Sequence, residues 1–238
     1  MTEESFERSR ALLGDAAFAR LNAVHVAVFG VGGVGSWCAE ALLRTGIRRL
    51  TLIDDDAVAP SNINRQRQAR PDTIGHPKVE VLRNQLLKII PDAQITARTE
   101  RYTPQNADSF DDLLAGADVV IDAIDAVDCK AHLIRRCTEH ATESNKPVLL
   151  SSMGAALRTD PTKVRTAPFH KVTGDGLARA LRNRFRKDRV TLPHHLCVYS
   201  EEPPKTVPDS SKGSIMPVTC TFGMALAALA INQIAQPT

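Results

Sequence analysis

Residues 24–37 read Val-His-Val-Ala-Val-Phe-Gly-Val-Gly-Gly-Val-Gly-Ser-Trp. The first six, rich in β-branched valine and apolar but for His25, have the pattern of a strand buried on both faces. Gly30 ends the run, and Gly30, Gly32 and Gly35 fit the spacing G-x-G-x-x-G. Residues 34–45 follow as a helix, closed by Gly46. A strand, a glycine turn and a helix in this order form a phosphate cradle. Glycines let backbone N–H groups approach phosphate oxygens, and the helix N-terminus adds partial positive charge. The same glycines would also serve close helix–strand packing alone.

Working outward, residues 50–53 read as a second strand ending on Asp54, which lies 19 residues beyond Gly35. A carboxylate there accepts hydrogen bonds from ribose hydroxyls. Helices are expected at 78–90, 106–115 and 130–143, and strands at 95–97, 119–121 and 147–150. This alternation over the first 150 residues demands a doubly wound, mostly parallel α/β sheet with right-handed crossovers. Before it, Phe6, Leu12 and Leu13 among polar residues predict a short helical arm. After Ser151 the alternation stops, and only 196–199 read as a strand. The apolar run 215–234 contains Pro217, Thr219, Thr221, Asn232 and Gln233 and reads as a buried helix, not a membrane span. The expected organisation is a nucleotide-binding core with its arm over 1–155, and a basic substrate region with a core helix over 156–238.

Composition narrows the class. With 43% hydrophobic and 24% charged residues, the chain is an ordinary globular protein and not a disordered one. At 4% aromatics, its core must rest on Ala, Val, Leu and Ile, which suits helices on a parallel sheet. Five cysteines with no C-x-x-C pair argue against a disulfide framework or a four-cysteine zinc site, and fit a reducing cytoplasm. Cys38, Cys129 and Cys137 fall on expected helices and read as packing residues.

Net charge is +3, but it is unevenly placed. Residues 158–189 hold ten basic and three acidic side chains, net +7, which leaves −4 for the remainder. Leu177, Leu181 and Phe185 form one apolar helix stripe, and Arg179, Arg182, Arg186 and Arg189 are expected off it. Such a face is either simply solvated or a contact for nucleic-acid phosphates. His194 and His195 read as loop residues, because no third metal ligand is suitably spaced.

A dinucleotide oxidoreductase would satisfy the glycine loop and Asp54. The residues that follow suit it less. Asp54-Asp55-Asp56 leads into Ser61-Asn62-Ile63-Asn64-Arg65-Gln66, and Lys78 opens the next helix. Cations and amides so close behind a ribose carboxylate suit a triphosphate clamp. Asp122 and Asp125 follow the fourth strand, where a carboxylate can hold Mg²⁺. Singly, Asp56 or Asn62 suits a turn, and Lys78 a solvated helix start.

GVGGVGSW, LTLIDDD, SNINRQ, the 75–78 stretch and VVIDAID together resemble the ubiquitin-activating-enzyme-like (ThiF/MoeB-type) adenylating superfamily, over about residues 8–155. Within it, GVGGVGSW and VTCTFGM (218–224) resemble the tRNA threonylcarbamoyladenosine dehydratase branch. The resemblance implies a Rossmann-like fold and ATP-dependent activation of a carboxylate as an acyl-adenylate. It implies phosphate contacts from Gly30, Gly32, Gly33 and Gly35, and ribose contact from Asp54. Asp56, Asn62, Asn64, Gln66 and Asp122 join the expected nucleotide set. Arg65, Lys78 and Asp125 would carry the reaction, with Asp125 holding Mg²⁺. Arg8, with Arg10 as the alternative, matches the arginine that reaches a partner subunit's ATP, which implies a homodimer with composite sites. The implied partner is tRNA, with room for a sulfur-transfer protein and none for a membrane. The rival readings are adenylation of a sulfur-carrier or ubiquitin-like protein and a NAD-dependent oxidoreductase. The zinc-binding cysteine pairs of many carrier-activating relatives are missing. The branch often has a cysteine before its last helix, and 209–217 contains none, so no catalytic cysteine is assigned.

Overall fold

The computed structural model describes residues 3–207 and 213–236, so the first part of the 209–217 loop, 209–212, lies outside the described residues. Seven strands form one sheet in the order β3-β2-β1-β4-β5-β7-β6. They are β1 (His25–Phe29), β2 (Arg49–Ile53), β3 (Gln94–Arg98), β4 (Val119–Asp122), β5 (Val148–Ser152), β6 (Val164–Pro168) and β7 (Leu196–Ser200). All neighbours are parallel except the β6–β7 pair. The central strands β1 and β4 are buried apart from the half-buried His25, because helices cover both faces.

The helices are α1 (Glu7–Leu13), α2 (Asp15–Ala23), α3 (Gly35–Thr45), α4 (Lys78–Leu87), α5 (Asp111–Gly116), α6 (Val127–Ser144), α7 (Gly176–Lys187) and α8 (Met216–Ala235). One core joins α3, α4 and α8 to the sheet through Leu42, Leu82, Phe222 and Leu226. The other joins α6 and α7 through Ile134, Phe169, Leu181 and Phe185. The aromatics gather here: Phe29, Tyr102 and Phe110 meet with centroids 5.2–5.7 Å apart.

Several expectations change. The arm is two helices, with Phe6 buried against Phe18 and Leu12 exposed. The helix expected at 106–115 is a 3-10 turn, Ala107–Phe110, followed by the short α5. The edge strand β6 was not anticipated. The boundary at 155 marks a change of sequence texture and no break in the structure, because β7 pairs with β5. α8 is long and apolar enough to cross a membrane, but Val218, Phe222, Leu226 and Ala230 bury against the core. A Cβ on Gly223 would stand 2.6 Å from the Val34 carbonyl oxygen, so α8 lies directly on the start of α3. Arg20 of α2 donates to the Ile234 carbonyl at 3.0 Å and holds the other end.

Candidate active site

The carboxyl ends of β1, β2, β4 and β5 open into a cleft of about 810 Å³. Gly30, at φ 87°, turns the chain from β1 toward α3, and a Cβ there would meet the Ala123 carbonyl oxygen at 2.8 Å. A Cβ on Gly35 would fall 1.9 Å from the Gly30 carbonyl oxygen. Gly35 therefore does not line the cleft; it lets the helix approach the turn. Gly32 and Gly33 do line it.

Asp54 ends β2 and ties the loop down: its Oδ2 accepts from the Val31 N–H at 2.8 Å, and its Oδ1 from the Asp56 N–H at 3.0 Å. Each oxygen keeps a lone pair for a ribose hydroxyl. Burial raises this carboxyl above the ordinary carboxylate range, opposed by the Lys78 charge and the two N–H bonds.

The segment carrying Asn62, Arg65 and Gln66 is pinned over the glycine loop. Gln68 donates to the Val31 carbonyl at 2.8 Å, and Trp37 Nε1 donates to the Arg65 carbonyl at 2.9 Å. Arg67 pairs with Glu40 of α3. Asn62 faces the cleft while its Oδ1 accepts from the Ala59 N–H. Arg65 Nη1 donates to the Ser61 carbonyl and to Asn64 Oδ1, at 2.8 and 2.9 Å. Lys78 is buried at the base of α4, and its Nζ lies 2.6 Å from Asp56 Oδ2.

Ten expected ligands converge on the cleft: Gly30, Gly32, Gly33, Asp54, Asp56, Asn62, Arg65, Gln66, Lys78 and Asp125. Others do not. Asp122 is fully buried and engaged by Lys130 and Ser151, so it anchors the loop and is no ligand. Asn64 turns away, its Nδ2 donating to the Ser214 carbonyl at 2.8 Å. Arg8 is exposed on α1 and does not line its own chain's cleft. On α7, Arg182 is withdrawn: it donates to the Val172 carbonyl at 3.0 Å and lies over the Phe169 ring. Arg179, Arg186 and Arg189 remain exposed. Arg158 is buried against Asp175, so it adds nothing to the surface charge.

The sequence reading missed Arg101, Gly154, Asp175, Leu177 and Thr219, all lining the cleft. Only Asp175-Gly176 carried a local signal, that of a helix cap. Asp175 Oδ1 accepts from the Ala178 N–H at 2.9 Å.

Asp125 makes no hydrogen bond or ion pair to another described residue, and its carboxylate is exposed in the cleft. Asp54, Asp55 and Asp56, whose carboxylates lie within 4.8 Å of one another, line the same cleft, and with Asp125 all four are hard oxygen donors of the kind Mg²⁺ takes.

A glycine turn, Asp54 at the end of β2, the cations Arg65 and Lys78 and the free carboxylate of Asp125 meet at one sheet edge, the arrangement of an α/β nucleotide-binding cleft. The chain belongs to the ThiF family, whose model matches residues 6–238. It is 37% identical to the tRNA threonylcarbamoyladenosine dehydratase of Bacillus subtilis (strain 168), over 84% of this chain and 75% of the relative. The enzyme of that name from Escherichia coli (strain K12) is also 37% identical, over 84% and 74%. The E. coli tRNA N6-threonylcarbamoyladenosine dehydratase TcdA in complex with AMP superposes with a TM-score of 0.88 at 34% identity, covering 97% of this chain and 94% of that one. Its ATP complex gives 0.87.

Proposed function

We propose that this protein is an ATP-dependent tRNA threonylcarbamoyladenosine dehydratase. It closes a ring within the threonylcarbamoyl group of a tRNA adenosine. The carboxylate of the threonyl group attacks the α-phosphorus of ATP, and pyrophosphate leaves. Attack on the resulting acyl-adenylate from within the same modification closes the ring and expels AMP. The nucleoside loses one water overall. A carboxylate is a poor electrophile, and AMP as leaving group removes that obstacle.

The observation that carries this reading is the convergence of Asp54, Asn62, Arg65, Lys78 and Asp125 in a chain alike over most of its length to dehydratases. Arg65 and Lys78 balance phosphate charge, Arg as a planar fork and Lys as a point charge. Asp54 fixes the ribose, and the N–H groups of the glycine turn orient the phosphates. Asp125 would hold Mg²⁺, which supplies charge neutralisation on the phosphates when bound. The rest is positioning of two reactants already held together.

Arg8 of a second copy would complete each ATP site in a homodimer. The exposed cations of α7 would hold the RNA by its phosphates. Its five free cysteines suit the cytoplasm. Curated relatives acting on carriers are alike over less of the chain: the E. coli sulfur carrier protein ThiS adenylyltransferase is 33% identical over 53% of it.

The test combines the protein with ATP, Mg²⁺ and tRNA bearing threonylcarbamoyladenosine. Mass spectrometry of the digested nucleosides should show loss of one water, with AMP formed. AMP formation on a small carrier protein but never on tRNA overturns the reading.

A further inference from the structure

The cleft extends beyond its nucleotide half to a second wall, built from the segment after β5 and the first turn of α7. Gly154, Arg158, Asp175, Gly176, Leu177 and Ala180 line this side. One buried side chain joins the two pieces. Asp175 Oδ1 caps α7, and its Oδ2 accepts from the Gly154 N–H at 3.0 Å and from Arg158 Nη2 at 3.3 Å. The fit is close, since a Cβ on Gly154 would stand 3.2 Å from Asp175 Oδ2.

Arg158 extends the seam. Its Nη1 donates to the Gly154 carbonyl at 2.6 Å and the Ala156 carbonyl at 3.1 Å, and its Nε to the Glu202 carbonyl at 3.1 Å. Glu202 then accepts from the Thr159 and Asp160 N–H groups. Residues 154–160 have no regular structure of their own before the turn at 161, so these bonds fix their course.

Stability alone does not call for this arrangement. A Ser or Asn would cap the helix as well, and a buried ion pair is often no better than an apolar pair of the same volume. The pair stands where the cleft wall meets the helix that carries Arg179 and Arg186. Those two cations are seven residues apart and share one face, about 10 Å apart along the axis at 1.5 Å per residue. RNA gripped by that face holds its target nucleoside at a fixed offset from the helix's first turn. The offset is useful only if the wall receiving the nucleoside moves with the helix.

We propose that Asp175 is a positioning residue, with Arg158 its buried counter-charge. Together they lock the nucleoside-receiving wall to the RNA-gripping helix, so that docking places the modified adenosine's carboxylate against ATP. This rests on the dehydratase reading above.

The test is Asp175→Asn, which keeps a capping oxygen but puts an amide where a carboxylate took two donors. Folded sites are counted by stoichiometric ATP binding. ATP Kd and tRNA KM should stay within threefold of wild type, while kcat per ATP-binding site falls at least tenfold. A merely structural role would lower the melting temperature and the number of sites, and leave kcat per site unchanged. That result overturns the proposal, as does a rise in ATP Kd that matches the loss in kcat. If Asp175→Asn does not fold, the neutral pair Arg158→Gln with Asp175→Asn is read by the same criteria. Failure of the wild-type protein to convert tRNA would strike the dehydratase reading itself, and this proposal with it.

Discussion

Lys130 Nζ stands 2.8 Å from Asp122 Oδ2, and neither side chain has any exposed surface. Nζ also donates to the Ile124 carbonyl at 3.1 Å, and Asp122 Oδ1 accepts from the Ile124 N–H at 3.2 Å. Ser151 donates to Asp122 Oδ2 at 2.8 Å. The turn bearing Asp125 is thus fastened from beneath. Lys130→Met should cost about 3–5 kcal/mol in denaturant unfolding, because it strands a buried carboxylate. Adding Asp122→Asn should recover part of that loss, so the double variant falls short of the sum of the singles. Strict additivity would show the two charges to be uncoupled.

Arg65 and Asp125 reach into the cleft with few or no partners beyond it. Arg65→Ala and Asp125→Ala should therefore change unfolding free energy by no more than about 0.5 kcal/mol. Turnover on tRNA should fall about a hundredfold or more in each, the usual scale for a lost charge stabiliser. Steady-state AMP release measures it. Unchanged turnover in both would displace the site.

Arg179→Glu with Arg186→Glu should weaken tRNA binding and lower the slope of log affinity against log salt by about 2, one unit per lost phosphate contact. ATP affinity should not change. Arg182→Glu should behave differently: it breaks the bond to the Val172 carbonyl and the contact with Phe169, so it lowers the melting temperature first. Filter binding over a salt series with a thermal melt separates the two.

His195 is stacked on Phe169 with centroids 5.3 Å apart, and neither ring nitrogen has a hydrogen-bond partner among the described residues. Burial, aided by the Lys130 charge, pushes its pKa down to about 3. Between pH 6.5 and 3 the unfolded chain therefore binds a proton that the folded chain refuses. This contribution to stability is complete above pH 6.5 and is lost on acidification, by up to about 1.4 kcal/mol per pH unit. His195→Phe keeps the ring stack and should flatten the stability curve between pH 4 and 6. An equal slope in variant and parent would assign the acid sensitivity to other groups.

The sequence made the parallel core plain because β1, β2, β4 and β5 are dense apolar runs ending at Gly30, Asp54, Asp122 and Ser152. The edge strand β6, Val-Arg-Thr-Ala-Pro, escaped: it is only half-buried and carries Arg165 and Pro168, so no apolar period marks it. In the site, residues linked by local spacing were legible, from Gly30 to Lys78. Arg101, Gly154 and Thr219 were not, since only the closing of the sheet and the docking of α8 bring them to the cleft. Asp122 was misread because two carboxylates three residues apart look alike in one dimension. The strand turns one inward and the loop turns the other out. The basic segment was overcounted for the same reason, Arg158 and Arg182 being spent inside the fold.

Gly223 lies against Val34, and Thr219 sits where a Gly33 side chain would be, 3.3 Å away. The phosphate turn near the start of the chain thus leans on a helix made some 180 residues later. The first 155 residues carry the glycine turn, Asp54, Asn62, Arg65, Lys78 and Asp125, and still lack one side of that turn. One flank of the glycine turn is therefore completed only when α8 docks against it, so the turn's shape depends on a helix remote from it in the chain.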